Sequence, residues 1–266
     1  MRPELLRPRS LEEALALKAE RGDEATVLAG GTFLTILMNQ GLLEPSCLLS
    51  LRDVSGLDGL GVDGGLRLGA MVRHRAVERS SEVRAGWPAL ADAFSVVASP
   101  RVRNQATVGG VLADADYASD PPAMLCALGA RAVVRSVAGE RELPIAELIT
   151  GYYETALGPD ELIVDVRVPR VNGAAAYRKF RSRSHEDRPC VSVAAVRSAG
   201  ELTVVVGAVA DRPQIFPELC ALEDAAEIGH AYAEAIDPIS DVRGSAAYRR
   251  RVIAVEVRRA VEGLSR

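Results

Sequence analysis

Two adjacent glycines and a threonine interrupt an apolar run at residues 28–34, LAGGTFL, just before a helix-like segment. Glycine lets a backbone approach a phosphate with no Cβ in the way, and successive N–H groups of such a turn can share one concavity. A helix leaving the turn would add the positive end of its dipole. The stretch therefore suits a pyrophosphate, although a glycine turn between strand and helix also serves as a plain connection. No lysine follows, so this is not the G-x-x-x-x-G-K-[ST] loop of nucleoside triphosphatases. A second candidate lies in residues 99–130, SPRVRNQATVGGVLADADYASDPPAMLCALGA. Thr107, Gly109 and Gly110 form another paired-glycine turn, and Asp114, Asp116 and Asp120 follow it. A short carboxylate such as Asp120 can hold sugar or ribityl hydroxyls. Two phosphate-type turns on one chain suit a dinucleotide; the alternative for the second is a solvated loop whose aspartates cap the helix after Pro121.

Other signals exclude more than they suggest. Gly59-Leu-Gly61-Val-Asp-Gly64 matches G-x-G-x-x-G, but the strand-like LRLGAM after it is the wrong context, since the fingerprint needs a helix there. A hairpin fits. The cysteines, Cys47, Cys126, Cys190 and Cys220, have neither C-x-x-C spacing nor the density of a disulfide framework and read as small buried hydrophobes. His185 stands beside two acids in SHED, which is not a helical ligand pair, and no metal site is expected. Residues 25–43 carry no charge, yet glycines and polar residues break the run too often for a span of roughly twenty apolar residues. A net charge of −4 offers no general field for nucleic acid or an anionic membrane. The N-terminus does not read as a secretory signal, so a cytoplasmic protein is expected, with no nucleic-acid or membrane partner.

The elements that must position these residues follow from periodicity. Ser10-Leu-Glu-Glu is a capping box opening a helix, ATVLA (25–29) reads as a buried strand and FLTILMNQ as a helix stopped by Gly41. GVDGGLRLGAM reads as a hairpin around Asp-Gly, and RAVVRSVAGERELPI as a second one. ELIVDVRVP, AAYRKFRSR, CVSVAAVRS and ELTVVVGAV then give strands of antiparallel type, and helices are predicted over about 222–236 and 245–264. The arginines Arg249, Arg250, Arg251, Arg258 and Arg259 are expected mostly off the apolar face of the last helix, either solvated or docking an acidic partner. The fold class is α+β, with segregated rather than alternating elements.

Six blocks, LAGGTFLTILMNQG, SPRVRNQATVGG, ASDPPAMLCALGA, TGYYETALGPDELIVDVRVP, YRKFRSRSHEDRPCVSVAA and DVRGSAAYRRRV, occur in this order. Together they resemble the FAD-binding medium subunit of molybdenum hydroxylases, such as that of carbon monoxide dehydrogenase and the flavin domain of xanthine dehydrogenase. The resemblance spans about residues 1–266. It implies an FAD-binding fold of the vanillyl-alcohol-oxidase (PCMH) type over 1–171, in two α+β subdomains of about 1–54 and 55–171. A C-terminal domain, 172–266, of small antiparallel sheet plus helices would follow. It also implies site roles. Val27, Leu28, Ala29, Gly30, Gly31, Thr32, Phe33 and Leu34 would wrap the pyrophosphate. Thr107, Gly109 and Gly110 would make the second phosphate and ribityl contact, with Asp116 and Asp120 beside the cofactor and Asp120 on FAD hydroxyls. Val97 and Ile163 would pack near the flavin or adenine. Lys179 would approach the flavin, where a cation stabilises negative charge on the reduced ring. No catalytic acid–base pair is implied. Substrate hydroxylation would belong to a molybdopterin-containing large subunit. Electrons would pass through a two-cluster iron–sulfur small subunit to this flavin and on to an external acceptor such as NAD+, a quinone or oxygen.

Three positions depart from the resemblance: Phe33 and Val111 stand where polar residues are usual, and Tyr117 where proline is common. Each lost hydrogen bond would weaken FAD by about 0.5–1.5 kcal/mol. Two other outcomes stay open, a free-standing FAD-dependent oxidase or monooxygenase, and a flavin-free scaffold homologue suggested by Phe33 and Val111. Tyr152 and Tyr153 either shield the flavin ring or pack ordinarily.

Overall fold

The computed structural model describes residues 3–184 and 186–264; His185 lies outside the described residues. The chain opens with β1 (Glu4–Leu6), α1 (Leu11–Arg21), β2 (Ala25–Leu28), α2 (Leu34–Asn39) and β3 (Cys47–Ser50). The strands form a parallel sheet in the order β1-β3-β2. Ser10 Oγ accepts the Glu13 N–H at 3.1 Å, and Glu13 in turn accepts the Arg9 N–H, so the capping box forms one residue out of register. This unit corrects the expectation of segregated elements: strand and helix alternate over the first fifty residues, as parallel pairing requires a crossover between strands.

The chain continues with β4 (Leu60–Asp63) and β5 (Gly65–Gly69), the Asp-Gly hairpin. Helices α3 (His74–Arg79), α4 (Ser81–Gly86), α5 (Pro88–Ser95), α6 (Pro100–Arg103), α7 (Val108–Ala113) and α8 (Pro121–Ala127) follow. After them come β6 (Arg131–Ser136), β7 (Gly139–Pro144), α9 (Ile145–Leu148), the short pair β8 (Ile149–Gly151) and β9 (Glu154–Thr155), and β10 (Leu162–Val168). The antiparallel sheet β4-β5-β10-β6-β7 buries Leu66, Leu68, Val134 and Val166 against Leu90, Phe94, Leu112 and Met124 of the helices.

The last part is an antiparallel sheet of β11 (Gly173–Phe180), β12 (Val191–Ser198), β13 (Glu201–Gly207) and β14 (Gln214–Ile215), with α10 (Ala225–Ala235) and α11 (Ala246–Gly263). β12 is covered on both faces, and its period of two explains how. Ala194 and Val196 enter the core shared with α8, whereas Val191, Val193 and Ala195 enter a second core with Ile228, Tyr232, Ile253 and Val257. One member of the arginine cluster departs from its expected place. Arg249 is fully buried, donates to the Cys190 and Ala208 carbonyls and pairs with Asp241 at 2.6 Å. A buried guanidinium is tolerated because these acceptors replace its water.

Candidate functional site

The two glycine bends meet. A Cβ on Gly30 would run into the Gln105 carbonyl, so glycine there lets the first bend pack on the chain entering the second; Gly109 serves a different contact, since a Cβ there would sit 2.7 Å from the Ala70 Cβ just after β5. A cavity of about 300 Å³ opens beside this junction. Val27, Ala29 to Leu34, Val97, Thr107, Gly109, Gly110, Asp116, Asp120, Ile163 and Lys179 all line it. Leu28 alone of the predicted residues does not; it faces a neighbouring hollow of about 620 Å³ that shares Ala29 to Thr32 and Thr107 as a wall.

The bends are built differently. Among the described residues, the N–H groups of Gly30, Gly31, Thr32 and Phe33 donate to no protein acceptor. Four spare amides in succession, on a bend whose Gly31 has φ +70°, make a concavity suited to an anion. The helix expected to reinforce them, α2, runs for only six residues, so the local amides rather than a long dipole set the field. At the second bend the amides are already used. Val108 N–H donates to the Val72 carbonyl, Gly109 N–H to the Ala70 carbonyl at 2.8 Å, and Gly110 N–H to Thr107 Oγ1 at 3.2 Å. Its contribution is therefore the Thr107 hydroxyl proton and a close-packed wall. That differs from the expectation of amide donors from both bends.

The aspartates are not the solvated caps considered as an alternative. Asp120 is buried and makes no capping bond to α8. Its Oδ1 accepts from the Tyr177 hydroxyl at 2.7 Å and its Oδ2 from Lys179 Nζ at 2.8 Å; Lys179 also donates to the Val96 carbonyl at 2.9 Å. Burial pushes the Asp120 carboxyl up and the Lys179 ammonium down, each opposed by the partner's charge. One ammonium N–H is left for the cavity. Asp116 accepts the Ala118 N–H and pairs with Arg188 at 2.8 Å. Asp114, half-buried on the cavity wall, has its carboxyl raised to about 7, first by burial and then by the Asp116 charge, against the pull of Arg188.

Residues beyond those expected also line the cavity. His74 is buried, with its Nε2 3.2 Å from the Thr107 carbonyl, so that nitrogen carries the proton; burial pushes its pKa down to about 4, leaving it neutral. Arg188 reaches over the Phe33 ring at 5.7 Å. Its block was recognisable in sequence, but nothing local ties Arg188 to Asp116. Among the described residues no group of His, Cys, Asp and Glu is placed to hold a metal ion, and no helix is long and apolar enough to cross a membrane.

The family described as "FAD binding domain in molybdopterin dehydrogenase" matches residues 1–171. The chain belongs to it, and so to the FAD-binding medium subunits of molybdenum hydroxylases, which are components of oxidoreductases. The 6-hydroxypseudooxynicotine dehydrogenase complex subunit alpha of Paenarthrobacter nicotinovorans is 35% identical over 94% of this chain and 90% of that protein. The carbon monoxide dehydrogenase medium chain of Afipia carboxidovorans is 31% identical over 96% and 94%. Among solved structures, quinoline 2-oxidoreductase from Pseudomonas putida 86 superposes with a TM-score of 0.92 at 28% identity, covering 99% of this chain and 97% of that one.

Proposed function

We propose that this chain holds FAD with its diphosphate on the amides of Gly30 to Phe33. The rest of the cofactor would run along the walls set by Val27 to Leu34, Val97, Thr107, Gly109, Gly110, Asp116, Asp120, Ile163 and Lys179. The observation that carries this reading is the row of four spare N–H groups, in a cavity that also gathers a threonine hydroxyl and a lysine. The fold is of the vanillyl-alcohol-oxidase (PCMH) type, with the cofactor-binding part at 1–171 (subdomains about 1–54 and 55–171) and a C-terminal domain at 172–266.

Bound FAD supplies two-electron storage with one-electron steps, which suits a relay between iron–sulfur clusters and an external acceptor. The chain then acts in a complex with a molybdopterin-containing large subunit, where the substrate is hydroxylated, and a two-cluster iron–sulfur small subunit that reduces the flavin. Medium chains of carbon monoxide dehydrogenase and nicotine 6-hydroxylase are similar over more than nine-tenths of this chain, which supports the assignment. What this chain's own residues do is bind and orient: the bend neutralises the diphosphate, Thr107 and Asp120 meet hydroxyls, and Lys179 places a positive charge at the cavity wall.

The test is direct. Protein saturated with FAD and desalted should keep the flavin absorption bands in a 1:1 ratio and co-purify with a four-cysteine-cluster iron–sulfur chain. Colourless protein after desalting would overturn the reading and leave a flavin-free scaffold. A coloured protein that turns over alone would instead mark a free-standing oxidase.

A further inference from the structure

The first bend carries the spare amides but has little of its own to hold it. No residue of α2 is buried, and Ile36, one turn after Phe33, is exposed. Beyond the packing of Gly30 on the Gln105 backbone, the bend is tied down by Phe33, whose ring stacks on Tyr153 with centroids 5.7 Å apart and planes 8° from parallel. Tyr153 is itself held in a conformation a bulky residue rarely adopts, φ +58°, by its N–H donating to the carbonyl of Ala115, which also has a positive φ. The second tie is Arg188, placed over the same Phe33 ring and paired with Asp116 at 2.8 Å. Both ties run from the first bend, through Phe33, and end on residues 115 and 116, in the loop leaving the helix of the second bend. Tyr117, next in that loop, touches the Tyr152 and Tyr153 rings edge-on and accepts from Arg243 at 2.9 Å. Four of the chain's eleven aromatic residues are thus gathered in contact beside this bend rather than in a core.

From this geometry we infer that the Phe33–Tyr153 stack is a latch, fixing the two glycine bends relative to each other so that the amides of 30–33 stay aimed at one diphosphate. Phe33 and Tyr153 are positioning residues for FAD, and the inference rests on the FAD reading above. The aromatic side chain at 33 thereby replaces a polar contact to the cofactor with pre-organisation of the backbone that makes it.

Two measurements test it. Amide hydrogen exchange of the protein without added FAD should quicken in Tyr153→Ala at Thr35, Ile36 and Leu37, whose N–H groups donate to the Gly31 and Phe33 carbonyls of the bend, with the melting temperature nearly unchanged, because the stack is half-exposed and local. Flavin-fluorescence titration of the same variant should show FAD affinity weakened about three- to tenfold, the worth of one aromatic pair. Tyr153→Phe, which keeps the stack, should restore both, and Phe33→Ser combined with Tyr153→Ala should lose little more than Phe33→Ser alone, which already removes both ties. Unchanged exchange, or quickened exchange with undiminished affinity, would overturn the latch. Failure of the unaltered chain to bind FAD would overturn the cofactor reading instead, and the exchange arm would still report whether the stack holds the bend.

Discussion

Asp114 lines the cavity and its ionisation falls close to neutral pH. Its carboxyl titrates near 7 rather than at the usual 3.8 because burial and Asp116 outweigh Arg188. Between those two values the folded protein holds a proton the unfolded chain has released, so stability is greatest at the acid end and falls as pH rises through the window. The half-buried position limits the loss to about 1–2 kcal/mol, below the roughly 4 kcal/mol of the whole shift. Asp114→Asn should therefore melt higher than the unaltered chain at pH 8 and equally at low pH, as differential scanning calorimetry would record. The same charge opposes an anion in the cavity. FAD affinity measured by fluorescence should decline from pH 6 to pH 8, and Asp114→Asn should flatten that decline; a flat profile in the unaltered chain would place the diphosphate away from Asp114. His74, by contrast, stays neutral throughout, since it titrates at about 4.

At the level of elements, what matters is the closeness of two backbones. Gly30→Ala drives a Cβ into the Gln105 carbonyl, which is backbone and cannot swing aside, whereas Gly61→Ala on β4 meets nothing within 4 Å. The first should cost about 1–3 kcal/mol or more and abolish FAD retention; the second should cost about 1 kcal/mol or less. Chemical denaturation with a flavin titration on each variant checks both. This contrast also marks what could be read in advance. LAGGTFL and TVGG were visible as bends, but which bend keeps its amides free depends on Ala70 and Val72, acceptors that no local pattern assigns to residues 108–110. The hairpins at 60–69 and 131–144 and the strands from 162 to 207 were legible because alternation and turn dipeptides are local signals. β1 and β3, three and four residues long, are too short to show a period, so the parallel sheet they form was missed.

At the scale of the whole molecule, the Lys179–Asp120 pair joins parts distant in sequence. Lys179 stands on β11, Asp120 lies immediately before α8, and Val96, which also accepts from Lys179, closes α5. Both side chains are almost wholly buried, at 3% and 4% exposure. Arg249 plays the same part within the second core, between α11, Asp241 and the carbonyls flanking β12 and β13. Such long-range pairs leave no periodic trace, which is why sequence placed Lys179 by resemblance alone and did not single out Arg249 as the buried member of its cluster. The lysine is a bolt between β11 and α8, and the FAD reading proposed above gives it a second job, as a cation for the reduced flavin. Lys179→Met separates them. Removing one partner strands Asp120 in an apolar site, so as a bolt Lys179 is worth about 3–5 kcal/mol in urea denaturation of the FAD-free chain. Replacing both, as Lys179→Met with Asp120→Leu, should recover most of that loss, because a packed apolar pair is close to neutral relative to a buried ion pair. If the double variant regains stability yet holds FAD with a lower reduction potential, the ammonium serves the reduced ring as well as the fold; if the potential is unchanged, its work is structural.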